Sequence, residues 1–143
     1  LPGRFSPYEQ DFSAILAWRP DLVLSLTERS EMVPLGAADL PADLTARGIQ
    51  CCHFSISDYQ TPKPENAEKW QTIEAQAYQI LGRGGRVLLH CFGGCGRSGM
   101  VALRLMRRMG LPSDVALSHL RAIRPCAIET PEQERWALAN FED

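Results

Sequence analysis

The run His90-Cys91-Phe92-Gly93-Gly94-Cys95-Gly96-Arg97-Ser98-Gly99 sets a thiol and a guanidinium five residues apart, with three glycines between them. Glycine lets a backbone curl so that successive N–H groups converge into an anion-binding nest. The backbone of Phe92, Gly93, Gly94, Cys95 and Gly96 would line that nest. The planar fork of donors on Arg97 would complete a cradle for a tetrahedral oxyanion. A cysteine at its floor, Cys91, feels the arginine charge and a helix N-terminus, which bring a thiol from about 8.5 into the range of about 3.5 to 7.5. Full ionisation adds only roughly 30-fold at neutral pH, less the nucleophilicity that is lost. Oriented donors carry more, since removing one from a developing oxyanion costs about 2.7 to 4 kcal/mol. The pattern points to a thiolate at the floor of a cradle for a tetrahedral oxyanion. His90 is expected to hydrogen-bond within the loop and to help set the thiolate.

Such a loop works only if a strand delivers it and a helix leaves it. Arg86-Val87-Leu88-Leu89-His90 follows the breakers Gly84-Gly85 and predicts a buried strand, and Ser98 to Met109 predicts a helix ended by Gly110. Earlier strands are predicted at 21–26 and 49–54, with short helices at 13–18 and 40–47. Trp70, Ile73, Ala77 and Ile80 recur at helical spacing up to Gly82. Ser113 is placed as the cap of a helix to Arg124, and Thr130-Pro131-Glu132-Gln133 opens a last helix through Phe141. Strands alternating with helices predict an α/β fold, one domain over residues 1–143, with a mainly parallel central sheet covered by helices on both faces. The glycine-rich run then lies at the carboxyl edge of the sheet, where ligands bind in such folds.

The run resembles the signature of the cysteine-dependent protein tyrosine phosphatase superfamily, Cys and Arg separated by five residues and followed by Ser or Thr. His90, Cys91, Gly94, Gly96, Arg97, Ser98 and Gly99 all fit. The resemblance implies that Cys91 forms a phosphocysteine, that Arg97 binds the phosphoryl oxygens, and that Ser98 hydrogen-bonds the leaving thiolate, with no metal and no cofactor. Phe54-Ser55-Ile56-Ser57-Asp58-Tyr59-Gln60-Thr61-Pro62 looks like the acid loop of small dual-specificity phosphatases. Asp58 is then the acid that protonates the departing oxygen, a step worth about 10² to 10⁴-fold; the alternative is a carboxylate capping a turn before Pro62. The segment from Leu24 through Thr27, Glu28 and Glu31 is similar to the family's early strand. Glu129-Thr130-Pro131-Glu132-Gln133 resembles the segment in which a glutamine positions the hydrolytic water, as in kinase-associated and Cdc14-like phosphatases. Gln133 is either that glutamine or a residue bonding back to the cap Thr130.

The acid loop has Ile56-Ser57 where the large tyrosine phosphatases have Trp-Pro, and no segment resembles their phosphotyrosine-gripping loop. The resemblance therefore implies a dual-specificity enzyme acting on phosphotyrosine and on phosphoserine or phosphothreonine in a phosphorylated protein or peptide. The signature loop lacks lysine, which disfavours phosphoinositide and inositol phosphate substrates. A rhodanese-type sulfurtransferase and a noncatalytic phospho-residue binding module are the rival readings.

Composition bounds the rest. With 143 residues, 45% hydrophobic, 22% charged and a formal charge of −2, the chain can bury a core and carries no basic excess for nucleic acid. No uncharged stretch exceeds about ten residues, about half a membrane span, and no signal pattern opens the chain, so a soluble cytoplasmic protein is expected. The chain opens on Leu1 as a processed product would. Oligomeric state is left open. Five cysteines leave at least one unpaired, and free thiols in a reducing compartment are the expectation. Cys95 is expected to be a small side chain under the loop; alternatively Cys95, Cys51 or Cys52 traps oxidised Cys91 as a disulfide. Neither Cys51-Cys52-His53 nor His90-Cys91-Cys95 has zinc-site spacing, and His53 and His119 are expected to be structural. Arg104, Arg107, Arg108, Arg121 and Arg124 form either a basic rim or a solvated helical face. Trp18, Trp70 and Trp136 are expected in packing roles.

Overall fold

Short apolar runs become strands wherever turn residues stop them from extending. In the computed structural model, which describes residues 1–141, Leu22–Ser25 (β1), Gln50–His53 (β2) and Val87–His90 (β3) form one parallel sheet in the order β2-β1-β3. Leu24 lies between Cys52 on one side and Leu89 on the other. The central position explains why Leu-Val-Leu-Ser is buried throughout β1, while Gln50 on the edge strand β2 is exposed.

Each strand is shorter than the run predicted for it, yet the backbone bonds continue past the strand ends. Leu26 donates its N–H to His90 (2.9 Å), Phe54 to Ser25 (2.9 Å) and Ile56 to Leu26 (3.0 Å). These bonds lash together the three loops that leave the carboxyl edge of the sheet.

Seven α-helices occur among the described residues: Tyr8–Trp18 (α1), Arg29–Met32 (α2), Leu40–Ala46 (α3), Ala67–Gly82 (α4), Gly96–Arg108 (α5), Ser113–Ile123 (α6) and Pro131–Leu138 (α7). Short α2 and the 3-10 turn Val33–Leu35 lack the periodicity that would announce them. Helix α1 begins at Tyr8 rather than Ser13, directly after Pro7. Ser113 is the first helical residue of α6 and Pro112 takes the cap position, because its extended backbone (ψ 151°) precedes the turn. Helix α7 stops at Leu138, short of Phe141, where Ala139 turns extended.

Helices cover both faces of the sheet, as predicted. Leu22 and Leu24 pack with Trp70, Ile73 and Ala77 of α4 and Met100, Val101 and Leu103 of α5. Val23 points the other way, to Phe12 of α1 and Leu40 and Leu44 of α3. Trp70 and Trp136 meet edge to face at 5.2 Å. Trp18 departs from the packing expectation: it is 43% exposed, with the Arg86 guanidinium over its ring.

The helical arginines divide: Arg108, Arg121 and Arg124 are exposed, as on a solvated face, whereas Arg104 is half-buried and Arg107 buried. Arg104 pairs with Glu74 at 3.0 Å, Arg107 is buried and donates to the Leu111 carbonyl, Arg108 lies over Tyr78, and Arg121 donates to the Ala127 carbonyl. They tie elements together. Among the described residues, no helix is long and apolar enough to cross a membrane.

Candidate active site

Strand β3 ends at His90, helix α5 starts at Gly96, and residues 91–95 make the turn between them. Cations draw three successive carbonyls of this turn outward. Arg4 Nη1 donates to Phe92 O at 3.3 Å, Arg124 Nη2 to Gly93 O at 2.8 Å and Arg124 Nε to Gly94 O at 3.0 Å. In a trans peptide the N–H that follows a carbonyl points the opposite way, so the amides of Gly94 and Cys95, which follow the carbonyls bonded by Arg124, are directed away from that guanidinium. Gly94 holds φ at +72°, a region that L side chains rarely adopt. The first turn of α5 adds its own free amides from the same direction.

Arg97 stands in that first turn with a side chain only 1% exposed. Its Nη1 and Nη2 each meet a Glu31 oxygen at 2.7 Å, and Nη1 also donates to Ile56 O at 2.9 Å. Burial opposes the charge on each partner, but their mutual hydrogen bonds prevail, holding Glu31 below the usual carboxylate range and raising Arg97 further. Glu31 belongs to α2 and also accepts the Glu28 N–H, closing a capping box. Of the five guanidinium donors, two remain for a ligand. Nε is buried without a partner, and the second hydrogen of Nη2 faces Asp58 Oδ1 at 3.3 Å, a carboxylate that is half exposed and replaceable.

One cavity of about 190 Å3 brings together Cys91, Arg97 and Asp58. Phe92, Gly93 and Cys95 line it from the loop, and Arg4, Tyr59 and Glu129 complete its wall. Cys91 is buried, with 2% exposure. Asp58 reaches the cavity because the Ile56–Leu26 backbone bond carries the loop after β2 over the sheet edge. Its Oδ1 also accepts the Tyr59 N–H at 3.0 Å, and Tyr59 adopts φ 62°. The turn-capping and cavity-facing readings of Asp58 thus describe the same carboxylate.

Other expected residues fall out differently. Ser98 is buried in the first turn of α5, and its hydroxyl makes no hydrogen bond, to Cys91 or elsewhere. The His90 ring is buried at the end of β3; no side chain partners its nitrogens, and its polar contact toward the loop is with the Cys91 backbone. Burial lowers its pKa to about 4, more than the neighbouring Cys91 backbone raises it, so the ring is neutral near pH 7 and supplies no charge to a thiolate. Gln133 is fully buried and is not part of the cavity wall. Its Oε1 accepts from Glu129 N (2.9 Å) and Thr130 N (3.3 Å), its N–H donates to Thr130 Oγ1, and its Nε2 donates to Gln60 O at 3.3 Å. The cap reading is therefore present in full, and the same side chain links the loop after β2 to α7.

The expectation of free thiols fails at Cys95, which forms a disulfide with Cys126. Cys95 is neither a simple packing residue nor available to trap Cys91 in this state. Cys51, Cys52 and Cys91 are free. Burial pushes Cys51 up to about 11 and raises Cys52 as well. His53 is structural as expected, its Nε2 lying 2.6 Å from Thr27 O. Among the described residues no group of three His, Cys, Asp or Glu is placed to hold a metal ion. Glu31, Arg124 and Cys126 were not singled out as site residues by the sequence. The segment from Leu24 through Glu31 stood out only by its similarity to the family's early strand; the capping box of Glu28 and Glu31 is seen in the structure.

A family model described as PTP-SAK, "Swiss Army Knife protein, DSP-PTPase phosphatase domain", matches residues 9–137. Tyrosine-protein phosphatase CDC14 of Candida albicans is 28% identical over 102 residues, 71% of this chain but 18% of that protein, so this chain spans a small part of that relative's length. Among solved structures, Tk-PTP in its active form is 32% identical, with 92% of this chain and 84% of that chain covered and a TM-score of 0.69. Kinase associated phosphatase, with its catalytic-site cysteine replaced by serine, shares the fold: TM-score 0.81 and 23% identity over 96% of this chain and 80% of its own.

The buried, neutral His90 has a consequence for acid stability. Its folded pKa lies below the unfolded value of 6.5, so the unfolded chain takes up this proton first. The His90 contribution is complete above about pH 6.5 and is lost as pH falls toward 4, by up to about 3 kcal/mol. Urea denaturation from pH 7 to 4 is expected to show a shallower loss of stability in His90→Asn than in the parent; parallel curves would rule this role out.

Proposed function

The chain belongs to the DSP-PTPase phosphatase family, and on that premise we propose that it hydrolyses phosphomonoesters through a phosphocysteine on Cys91. The observation that carries the reading is the shared cavity of Cys91, Arg97 and Asp58, in which Arg97 keeps Nε unpartnered. The loop amides and Arg97 take the nonbridging oxygens of the phosphoryl group. The Cys91 thiolate attacks phosphorus, the bond to the ester oxygen breaks, and Asp58 gives that oxygen its proton. In the second half, water attacks phosphorus, the P–S bond breaks, Asp58 takes the water's proton, and inorganic phosphate leaves. Ser98, with an uncommitted buried hydroxyl, supports the departing thiolate once the sulfur moves toward it. Gln133 acts as a positioning residue, holding Glu129, Thr130 and Gln60 around the cavity. No step requires a metal or cofactor. The family assignment leaves the sulfurtransferase reading without support.

The substrate is a phosphorylated protein or peptide, with dual specificity for tyrosine and for serine or threonine. The acid loop supports this: Ile56-Ser57-Asp58 replaces the Trp-Pro-Asp form, and the wall beyond Asp58 is the exposed Tyr59 rather than a dedicated phosphotyrosine loop.

Cys91→Ser is expected to lose turnover of p-nitrophenyl phosphate while still binding inorganic phosphate by calorimetry; surviving turnover would sink the mechanism, and a turnover-dead parent would favour a binding module. Asp58→Ala is expected to slow alkyl phosphate esters by about 10² to 10⁴-fold and p-nitrophenyl phosphate by much less, because only a poor leaving group needs the proton. Equal losses would remove Asp58 as the acid. Across phosphotyrosine and phosphothreonine peptides and a soluble phosphoinositide, both peptide classes should turn over faster; the reverse order would overturn the protein-substrate reading.

A further inference from the structure

One stretch of chain runs alongside the phosphate loop and touches it at four successive places. Arg124 binds the Gly93 and Gly94 carbonyls, Cys126 is bonded to Cys95, Ile128 donates its N–H to the Cys95 carbonyl at 3.2 Å, and Glu129 lies against Gly96. The approach is close enough that a Cβ on Gly99 would stand 2.7 Å from Ile128 N. Helix α6 ends at Ile123, so the stretch hangs between α6 and α7, and Arg124, Pro125 and Cys126 are exposed. A turn whose carbonyls must all face outward is held so by contacts on its outer side. Here the contacts come from a segment that is 31 residues away in sequence and joined to it covalently.

We propose that residues 124–128 are a redox-sensitive brace on the phosphate loop. With the Cys95–Cys126 bond closed, Arg124 is kept over the two glycine carbonyls and the amides stay aimed into the cavity; with it open, the segment loosens and phosphate capture weakens. Arg124 and Cys126 are positioning residues, acting on substrate only through the loop.

Opening is ordinary thiol–disulfide exchange with a dithiol. A thiolate of the dithiol attacks the exposed Cys126 sulfur, the Cys95–Cys126 bond breaks, and Cys95 leaves as a thiolate that takes a proton. The second thiol of the reagent then attacks the mixed disulfide, releasing the Cys126 thiol; the reagent leaves oxidised as its own disulfide, and the two electrons it gave up stay on the Cys95 and Cys126 thiols. Reduction also frees Cys95, which lines the cavity with Cys91.

The brace rests on the phosphate-cradle reading, and its test separates the two. Inorganic phosphate is titrated calorimetrically into the Cys91→Ser protein before and after dithiothreitol, with the Cys95–Cys126 state checked by peptide mass mapping. Using that variant removes any redox effect on the catalytic thiol. If reduction lowers the competent fraction of the loop to about a tenth, apparent phosphate affinity falls about tenfold. Cys91→Ser/Cys126→Ser should bind phosphate as weakly as the reduced protein and show no response to dithiothreitol. Arg124→Gln, which leaves the disulfide in place, should weaken phosphate several-fold; in the parent background it should raise KM more than it lowers kcat. Equal phosphate affinity in oxidised and reduced protein overturns the brace and leaves the cradle standing. Absence of phosphate binding in both states overturns the cradle and the brace together.

Discussion

A single buried guanidinium joins the three loops that leave the sheet. Arg97 follows β3, its carboxylate partner Glu31 lies on the helix just after β1, and its remaining contacts, the Ile56 carbonyl and Asp58, follow β2. A charge with 1% exposure is tolerable only when its hydrogen bonds are nearly all made, and losing one partner of such a pair costs about 3 to 5 kcal/mol. The pair therefore fixes where the loops must be before any substrate arrives. The short helix α2, with its capping box, owes its place to this: Glu31 has to be presented rigidly to a group that cannot move toward solvent.

The same economy governs charge. A net charge of −2 draws no phosphate from a distance. Positive charge is instead concentrated around one turn, with Arg97 and Arg4 in the cavity wall and Arg124 on the far side of the turn. Arg4 and Arg124 occupy carbonyl oxygens, which would otherwise repel an oxyanion. Exposed charges are screened by solvent and contribute little to stability as pairs, so their value here is directional. Helix α5 can begin under such a turn because glycine at its first and fourth positions admits the 127–129 segment against its backbone.

Local features were legible in the sequence and long-range ones were not. The Cys-to-Arg spacing, the strand before it and the helix after it are contiguous, so periodicity and glycine placement locate them to within a residue or two. Asp58 could be found because it follows a strand at the same sheet edge. Glu31 could not be assigned, since its role depends on a contact 66 residues away. The Cys95–Cys126 bond escaped for the same reason: pairing depends on approach in space, and five cysteines permit many pairings. His90 is more instructive. A histidine beside Cys91 invites a charged role in setting a thiolate, yet its place at the end of a buried strand leaves it only the Cys91 backbone as a contact and keeps it neutral.

On the proposed reaction, a phosphoryl group changes what Asp58 faces. Its carboxylate lies 3.3 Å from an Arg97 donor, one of the two positions that an oxyanion would need. A phosphoryl group is doubly charged and accepts from several donors at once, so it displaces a half-exposed carboxylate whose own pairing is worth little. The displaced carboxylate stays tethered by the Ile56–Leu26 and Arg97–Ile56 bonds, which involve backbone and do not depend on ligand. Its freedom is then small, and the ester oxygen is the group it meets. Substrate binding and acid placement become one event. An acid with no partner of its own would have to be ordered at the moment of binding, at an entropic cost the Arg97 contact lowers.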